Sequence, residues 1–217
     1  MALRLCVLAL LLVSVNACCS PLQWEMTGGT VSGRVAIDDL TLTEFHYDLH
    51  YDAVNLKVAM RSEYVTSNIR NMTILDYEAG RIYQVDEVTG ACEIRTLDTP
   101  FEPSCTPADA TVNDHFFVGG GDQERLPAAS FKYVRPDKSG YVTVTEGDSP
   151  ESTCVPIVAF DFNLSEMTFM VFRNIMDGIA DPSIFDPPDS CNFAVETPLK
   201  RKMNVHPFLR FPVTYQY

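Results

Sequence analysis

Basic residues are scarce in this sequence. Lys and Arg number 16 against 29 Asp and Glu, which gives a net charge of −13 at pH 7. Binding to the phosphate backbone of nucleic acid needs a basic patch that displaces counterions. The composition therefore excludes nucleic acid as an expected partner, whereas calcium, cationic partners and mineral surfaces remain open.

Motifs of catalysis and of dedicated metal sites are also missing. The sequence has no G-x-S-x-G elbow, no H-E-x-x-H motif, no Walker-type loop and no C-x-x-C pair. His46 and His50 have the i, i+4 spacing that binds zinc on a helix, but the alternating polarity around them predicts a strand. On a strand their Cα atoms lie roughly 13 Å apart, too far for one metal. We therefore expect a protein that is not an enzyme and has no cofactor beyond weakly bound calcium.

No apolar run is long enough to span a bilayer as a helix, which needs roughly 20 residues. The longest, Leu5 to Val15, follows Arg4 and precedes small residues ending at Ala17. This arrangement predicts a secretory signal peptide at 1–17 and an extracellular protein. The remaining 18–217 is expected to be one domain, with a tail of uncertain order at 200–217.

Six cysteines remain once Cys6 leaves with the signal peptide: Cys18, Cys19, Cys92, Cys105, Cys154 and Cys191. An even set at wide spacings in a secreted chain predicts three disulfides, although 15 pairings are open from sequence alone. Asn71 and Asn163 each begin an N-x-[ST] sequon without proline, so both are predicted glycan acceptors.

Period-two alternation is the main structural signal. Phe45, Tyr47, Leu49 and Tyr51 share one parity and polar residues the other, which predicts a half-buried strand. After a turn near 52–54 the pattern resumes with Leu56, Val58 and Met60, as in the second strand of a hairpin. About ten or eleven such runs, without a convincing amphipathic helix, predict a mainly antiparallel β domain. The runs around 154–162 and 167–172 form a second predicted hairpin across F-N-L-S-E.

Four carboxylates lie in the segment 177–191, which reads D-G-I-A-D-P-S-I-F-D-P-P-D-S-C. Their spacing of four, five and three does not match the alternate oxygens of a calcium loop. The prolines instead predict a stiff turn in which Ser183 to Phe185 makes at most one helical turn and directs Ile184 and Phe185 inward.

This segment closely resembles the C-terminal signature of the ependymin-related proteins. Supporting matches occur in order along the chain. They are C-x-x-P-x-Q-W at 18–24, Y-D at 51–52, Y-Q-V-D at 83–86, T-G-A-C ending at Cys92, P-A-D-A at 107–110, C-V-P-I at 154–157 and F-N-L-S at 162–165. The resemblance implies a secreted glycoprotein with two antiparallel sheets folded around a deep hydrophobic pocket, similar to bacterial lipoprotein carriers. It also implies a homodimer that takes up lipid-like ligands, with calcium association in some members.

The family's cysteine pattern implies the pairs Cys18–Cys154 and Cys92–Cys191, which leaves Cys19 with Cys105. This third pair departs from the vertebrate pattern and, with the tail after Cys191, looks more like an invertebrate member.

The resemblance also implies that the apolar residues of the predicted strands line a ligand pocket rather than an ordinary core. The predicted pocket residues are Phe45, Tyr47, Leu49, Tyr51, Leu56, Val58, Met60 and Phe169. The first functional hypothesis is non-covalent binding of a hydrophobic, lipid-like ligand. The alternative is a structural component of an extracellular matrix, a secretion or a calcified shell, supported by a net charge of −14 after removal of Arg4.

Overall fold

Nearly all of the regular structure is β. The computed structural model describes residues 18–36, 39–121, 124–136, 138–146 and 153–197, so the predicted signal peptide and the tail at 200–217 lie outside the described residues. The strands are β1 (Gln23–Ala36), β2 (Asp39–Asp52), β3 (Lys57–Tyr64), β4 (Arg70–Asp76), β5 (Arg81–Asp86), β6 (Cys92–Thr96), β7 (Thr111–Val118), β8 (Leu126–Val134), β9 (Ser139–Thr145), β10 (Pro156–Phe162), β11 (Glu166–Asp177) and β12 (Glu196–Thr197). The prediction of a mainly β fold is confirmed.

One continuous sheet replaces the two sheets that were expected. Its order is β12-β6-β5-β4-β3-β2-β1-β11-β10-β9-β8-β7, and only β12 pairs in parallel, with β6. Ile82 of β5 and Val144 of β9 nevertheless belong to one buried cluster. Both are 1% exposed, although the described residues contain no second sheet that could cover this face. Because a buried sheet face needs a cover, we infer that the sheet curls until its two halves face each other. We call the face inside this curl the inner face and the opposite one the outer face.

The two hairpins predicted from alternation are present. In β2 and β3, Leu49 pairs with Met60 and Tyr51 with Val58. The Asp52 carboxylate accepts hydrogen bonds from the backbone N–H groups of Val54 and Asn55 at 3.0 and 2.9 Å. These bonds fix the turn between the two strands. The β10–β11 hairpin is closed similarly, because Asn163 Oδ1 accepts from the Glu166 N–H at 2.9 Å.

The central strand β1 has no counterpart among the strands predicted from alternation, the first of which contains Phe45. It pairs along its whole length with β2 and along most of it with β11. Its three glycines, at 28, 29 and 33, weaken the alternation that identifies strands. At Gly28 the missing side chain has a structural purpose, because the Tyr47 ring from β2 lies where a Cβ would be.

A strap of residues 178–194 covers the outer face of β3 to β6. It leaves β11 at Gly178, whose N–H donates to the Gln23 carbonyl at 2.9 Å. Its two 3₁₀ helices, Pro182–Phe185 and Asp189–Phe193, follow prolines, as the sequence indicated. Phe185 is buried among apolar side chains of the outer face, and Ile184 packs beside it. The prediction that both point inward is confirmed.

Three disulfides connect distant parts of the chain. They join Cys18 to Cys154, Cys19 to Cys105 and Cys92 to Cys191, the pairs given above, across 136, 86 and 99 residues of sequence. The last attaches the strap to β6. None of the helices in the described part of the chain is long and apolar enough to cross a membrane.

The edge strand β7 pairs with β8 from Thr111 to Val118. All eight of its side chains are exposed. Because neither face of this strand is buried, its sequence lacks the alternation of apolar and polar residues that identified other strands.

We expect Gly28→Ala to destabilise the fold by about 1–3 kcal/mol, as overpacking of a filled core does. The new methyl group would overlap the Tyr47 ring and lie 2.7 Å from Met26 Cε. Gly33→Ala, on the same strand, is the control because nothing lies within 4 Å of its added Cβ. Urea unfolding of both variants is the measurement, and equal midpoints would contradict the role of Gly28.

The strap provides a second matched pair of substitutions. Phe185 is 4% exposed and Phe193 is 89% exposed. Phe185→Ala should lower the free energy of unfolding by about 3–5 kcal/mol. Phe193→Ala should change it by less than about 0.5 kcal/mol. A small loss for both variants in thermal or urea unfolding would show that the strap does not stabilise the sheet.

Candidate functional site

The inner face is apolar at one end. The register of the strands places one row of side chains side by side across the sheet: Trp24, Tyr51, Val58, Leu75 and Ile82. All five are at most 3% exposed. Phe101 covers this end, with ring centroids 5.7 Å from Tyr51 and 5.1 Å from Tyr77. Apolar burial of this kind stabilises the curl of the sheet.

Polarity increases along the inner face of β3 to β6. The next row across these strands reads Met60, Thr73, Gln84 and Glu93. The row after it reads Ser62, Asn71 and Asp86. The inner face therefore changes from apolar to polar over a distance of about 14 Å, since two residues of a strand span about 6.6–6.8 Å.

A cavity of ≈360 Å³ lies in this region of changing polarity. Phe45, Met60 and Tyr64 give its wall an apolar part. The polar part comes from strands β3 to β6 and is formed by Ser62, Asn71, Thr73, Gln84, Asp86 and Glu93. Its volume falls at the lower end of the range for small-molecule sites in proteins.

A second polar row crosses the other half of the inner face. Ser32 of β1 is paired with Thr168 of β11, Thr168 with Asp161 of β10, Asp161 with Gly140 of β9, and Gly140 with Tyr133 of β8. The Ser32 and Thr168 hydroxyl oxygens are 3.1 Å apart. We call this set the polar row. It lies two residues beyond the row that contains Phe45, at the same end of the inner face as the cavity wall.

The Asp161 carboxyl is the most strongly perturbed acid of the inner face. Burial raises its pKa to about 7, because a low-dielectric surrounding disfavours the charged form. Lys138 Nζ is 3.9 Å from Asp161 Oδ2, with the Lys138 side chain 21% exposed. This contact favours the carboxylate only weakly at such distance and exposure. Near neutral pH the site therefore holds a carboxyl that is present in both its protonated and its ionised form.

The predicted pocket residues separate into three groups. Phe45 and Met60 lie on the cavity wall. Tyr47, Leu49, Tyr51 and Val58 lie in the buried core of the inner face. Burial raises the pKa of the Tyr51 hydroxyl, which accepts a hydrogen bond from the Ser104 N–H at 3.0 Å.

Leu56 and Phe169 were placed wrongly by the sequence prediction. Leu56 is in the turn before β3, with a φ of 54°, and is 38% exposed. Phe169 is 44% exposed on the outer face, whereas its neighbours Met170 and Thr168 point inward. Both parities of β11 carry large apolar residues, so alternation alone did not identify the buried one.

The two sequons lie in different environments. Asn163 is exposed at the tip of the β10–β11 hairpin. Asn71 is half-buried in β4 and lies on the cavity wall. Glycosylation at either position stays a prediction.

His46 and His50 share the outer face of β2 and do not form a metal site together. His50 Nδ1 is 3.2 Å from Glu25 Oε2, which also accepts from the Ala180 N–H of the strap at 3.2 Å. Asp181, in the strap, caps its 3₁₀ helix, and hydrogen bonds from Ser183 hold the pKa of this carboxyl below its usual range. No group of three or more His, Cys, Asp or Glu that could hold a metal occurs among the described residues. Weak calcium association stays a prediction.

The polar residues of the cavity and the polar row were not predicted as ligand-pocket residues from sequence, although Asn71 was identified as part of a sequon. Ser62 and Tyr64 were detectable in principle, because they continue the inward parity of Val58 and Met60 along β3. Asp161 and Tyr133 carried no such signal, since their proximity depends on the register of three strands.

The strands, the disulfides and the cavity define a disulfide-linked, mainly β protein with a ligand-sized cavity in the inner face of its curled sheet. Residues 66–191 match the family model described as Ependymin, and the chain belongs to the ependymin family.

Two relatives illustrate this membership. The chain is 26% identical over 191 residues to mammalian ependymin-related protein 1 of Rattus norvegicus, covering 86% of this chain and 80% of that protein. It is 25% identical over 198 residues to ependymin-related protein 1 of the invertebrate Haliotis asinina, covering 84% and 94%.

Solved structures are similar in fold alone. An uncharacterized conserved protein from Thermus thermophilus aligns with a TM-score of 0.51 at 9% identity, covering 82% of this chain and 90% of that chain. A lipoprotein-sorting protein domain from Vibrio parahaemolyticus is a weaker match, with a TM-score of 0.38 at 7% identity over 75% and 88%.

The raised pKa of Asp161 makes a prediction about stability and pH. In the folded state this carboxyl holds its proton up to about pH 7, above the ordinary value of 3.8. Its contribution is therefore fully present below about pH 4 and is lost as the pH rises through 7, by up to about 1.4 kcal/mol per pH unit. Asp161→Asn should remove this part of the pH dependence. Urea unfolding from pH 4 to 8 is the measurement, and parallel curves for the two proteins would contradict the assignment.

Proposed function

We propose that this protein is a secreted binding protein that holds one amphipathic, lipid-like ligand without covalent chemistry. The observation that carries this proposal is the ≈360 Å³ cavity, whose wall is apolar at Phe45, Met60 and Tyr64 and polar towards β4 to β6. A wall with apolar and polar parts suits an amphipathic molecule. Met60 adds a side chain that adapts to ligands of different shape.

The cavity size favours a small ligand. Sites for drug-sized molecules occupy about 300–1,000 Å³, and this cavity lies near the lower limit. We therefore expect a single acyl chain with its head group, rather than a phospholipid with two chains.

Secretion and the lack of covalent chemistry are parts of the same proposal. Three disulfides in a chain of this size are typical of an oxidising, extracellular compartment. They include every cysteine of the described part of the chain, so none of these residues is a free thiol nucleophile.

A role in an extracellular matrix, a secretion or a calcified shell is the second candidate. It is favoured by the excess of 29 acidic over 16 basic side chains. Exposed acidic residues that lack a preformed cage give weak, diffuse calcium binding. Homodimerisation, which the family resemblance implies, stays a prediction.

Binding of a fluorescent fatty-acyl probe tests the first candidate. Wild-type protein should bind it saturably with a stoichiometry of one. Ser62 is 7% exposed on the cavity wall, so Ser62→Phe should fill the cavity and weaken binding at least about tenfold. Glu63→Phe is the control, because Glu63 is the next residue along β3 and is exposed on the outer face.

Thermal unfolding of both variants establishes that each is folded. Native mass spectrometry of wild-type protein from a eukaryotic secretory host gives a measurement that needs no substitution. The proposal is wrong if the wild type neither binds the probe nor carries an acyl species, or if folded Ser62→Phe binds as the wild type does.

A further inference from the structure

Two polar side chains of the polar row converge on one point of the inner face. Gly140 lies between their strands, and the position that a Cβ would take there is 2.5 Å from the Tyr133 hydroxyl and 2.6 Å from Asp161 Oδ1. The Phe160 carbonyl oxygen also contacts this position. Any side chain at residue 140 would displace these groups, so the glycine is required for their approach.

The Tyr133 hydroxyl is buried and forms no hydrogen bond within the described protein. Its residue is only 1% exposed. The Arg135 guanidinium lies 5.6 Å from the centroid of the Tyr133 ring and is itself paired with Asp109 at 2.7 Å. Buried hydroxyl groups nearly always have a partner, so an exception needs an explanation such as a bound water or ligand.

We propose that Tyr133 and Asp161 form a subsite that hydrogen-bonds the hydroxyl head group of a neutral, single-chain lipid such as a monoacylglycerol or a fatty alcohol. This inference rests on the proposed function, because the lipid is the ligand of the same inner face. A ligand hydroxyl both donates and accepts, so it can pair with the carboxyl and with the phenol at once.

The charges around the subsite distinguish this head group from others. A fatty-acid carboxylate would be repelled by the Asp161 carboxyl whenever the latter is ionised. An amine head would compete with Lys138, whose Nζ already lies 3.9 Å from Asp161 Oδ2. A neutral hydroxyl meets neither obstacle. The adjacent Ser32 and Thr168 hydroxyls continue the row toward β1 and offer further partners to a head group with more than one hydroxyl.

The position of the row agrees with the orientation expected for an amphipathic ligand. It lies at the end of the inner face that is opposite to Trp24 and Tyr51, where large buried side chains form the row from β1 to β5. A lipid with its head at Tyr133 would thus direct its chain toward Phe45 and the apolar part of the cavity wall.

The test compares three ligands with the same twelve-carbon chain: 1-monododecanoylglycerol, dodecanoate and dodecylamine. Each displaces a fluorescent acyl probe from wild-type protein, from Tyr133→Phe and from Tyr141→Phe at pH 7.5. Tyr141 is the matched control, because it pairs with Phe160 and Lys132 on the outer face and its ring contacts Lys132. Asp161→Asn is the second variant.

In the wild type we expect the monoacylglycerol to bind more tightly than the other two. Tyr133→Phe should weaken the monoacylglycerol about five- to tenfold, the loss of one buried hydrogen bond, and leave dodecanoate within about twofold. Asp161→Asn should reduce the discrimination against dodecanoate, whereas Tyr141→Phe should change nothing. Equal affinity for the three heads, or a Tyr133→Phe effect that is the same for all of them, would overturn the subsite and leave lipid binding intact. Failure of the wild type to bind the probe at all would instead refute the proposed function.

Discussion

The fold depends on one constraint: the apolar side chains on both faces of a single long sheet must be shielded from water. Twelve strands in a continuous sheet bury their inward side chains only when the sheet curls, so that β3 to β5 lie opposite β9 to β11. Among the residues that the structure describes, the cover of the outer face is the strap, which lies over β3 to β6. Beyond the strap, Val31, Phe169 and Phe162 remain at least 38% exposed. Burial of apolar side chains therefore contributes more to the packing of the inner face than to that of the outer face.

Local periodicity identified most of the strands but not their assembly. The β2–β3 and β10–β11 hairpins were predictable because a turn and two alternating runs are contiguous in sequence. Strand β1 was missed because Gly28 and Gly29 interrupt its apolar pattern, although the ring of Tyr47 fills the space beside Gly28. Whether the strands form one sheet or two depends on the pairing of β1 with β11, which lie about as far apart in sequence as two strands of this chain can. Periodicity within a strand contains no information about that pairing.

The candidate site also contains residues that local periodicity identified and residues that only strand pairing brings together. Phe45 and Met60 were found because they belong to an apolar stripe, whereas Asp161, Gly140 and Tyr133 come together through cross-strand register alone. The proton affinity of Asp161 follows from burial by residues on other strands, so no local pattern could indicate it. Phe169 illustrates the opposite error, in which a large aromatic residue at the wrong parity is taken for part of the interior.

The pairing of β1 with β11 also sets the order in which the chain can fold during its synthesis. Trp24 lies opposite Asp177, and neighbouring residues of the two strands pair onward to Arg34 and Glu166. The middle of the sheet therefore cannot close until almost all of the described chain has left the ribosome. Until then β1 has β2 alone as a neighbour, and its other edge presents unpaired backbone groups, the kind of edge that promotes aggregation. Non-local pairing of this kind makes folding slow, and one edge of β1 stays unpaired for most of the synthesis of the chain.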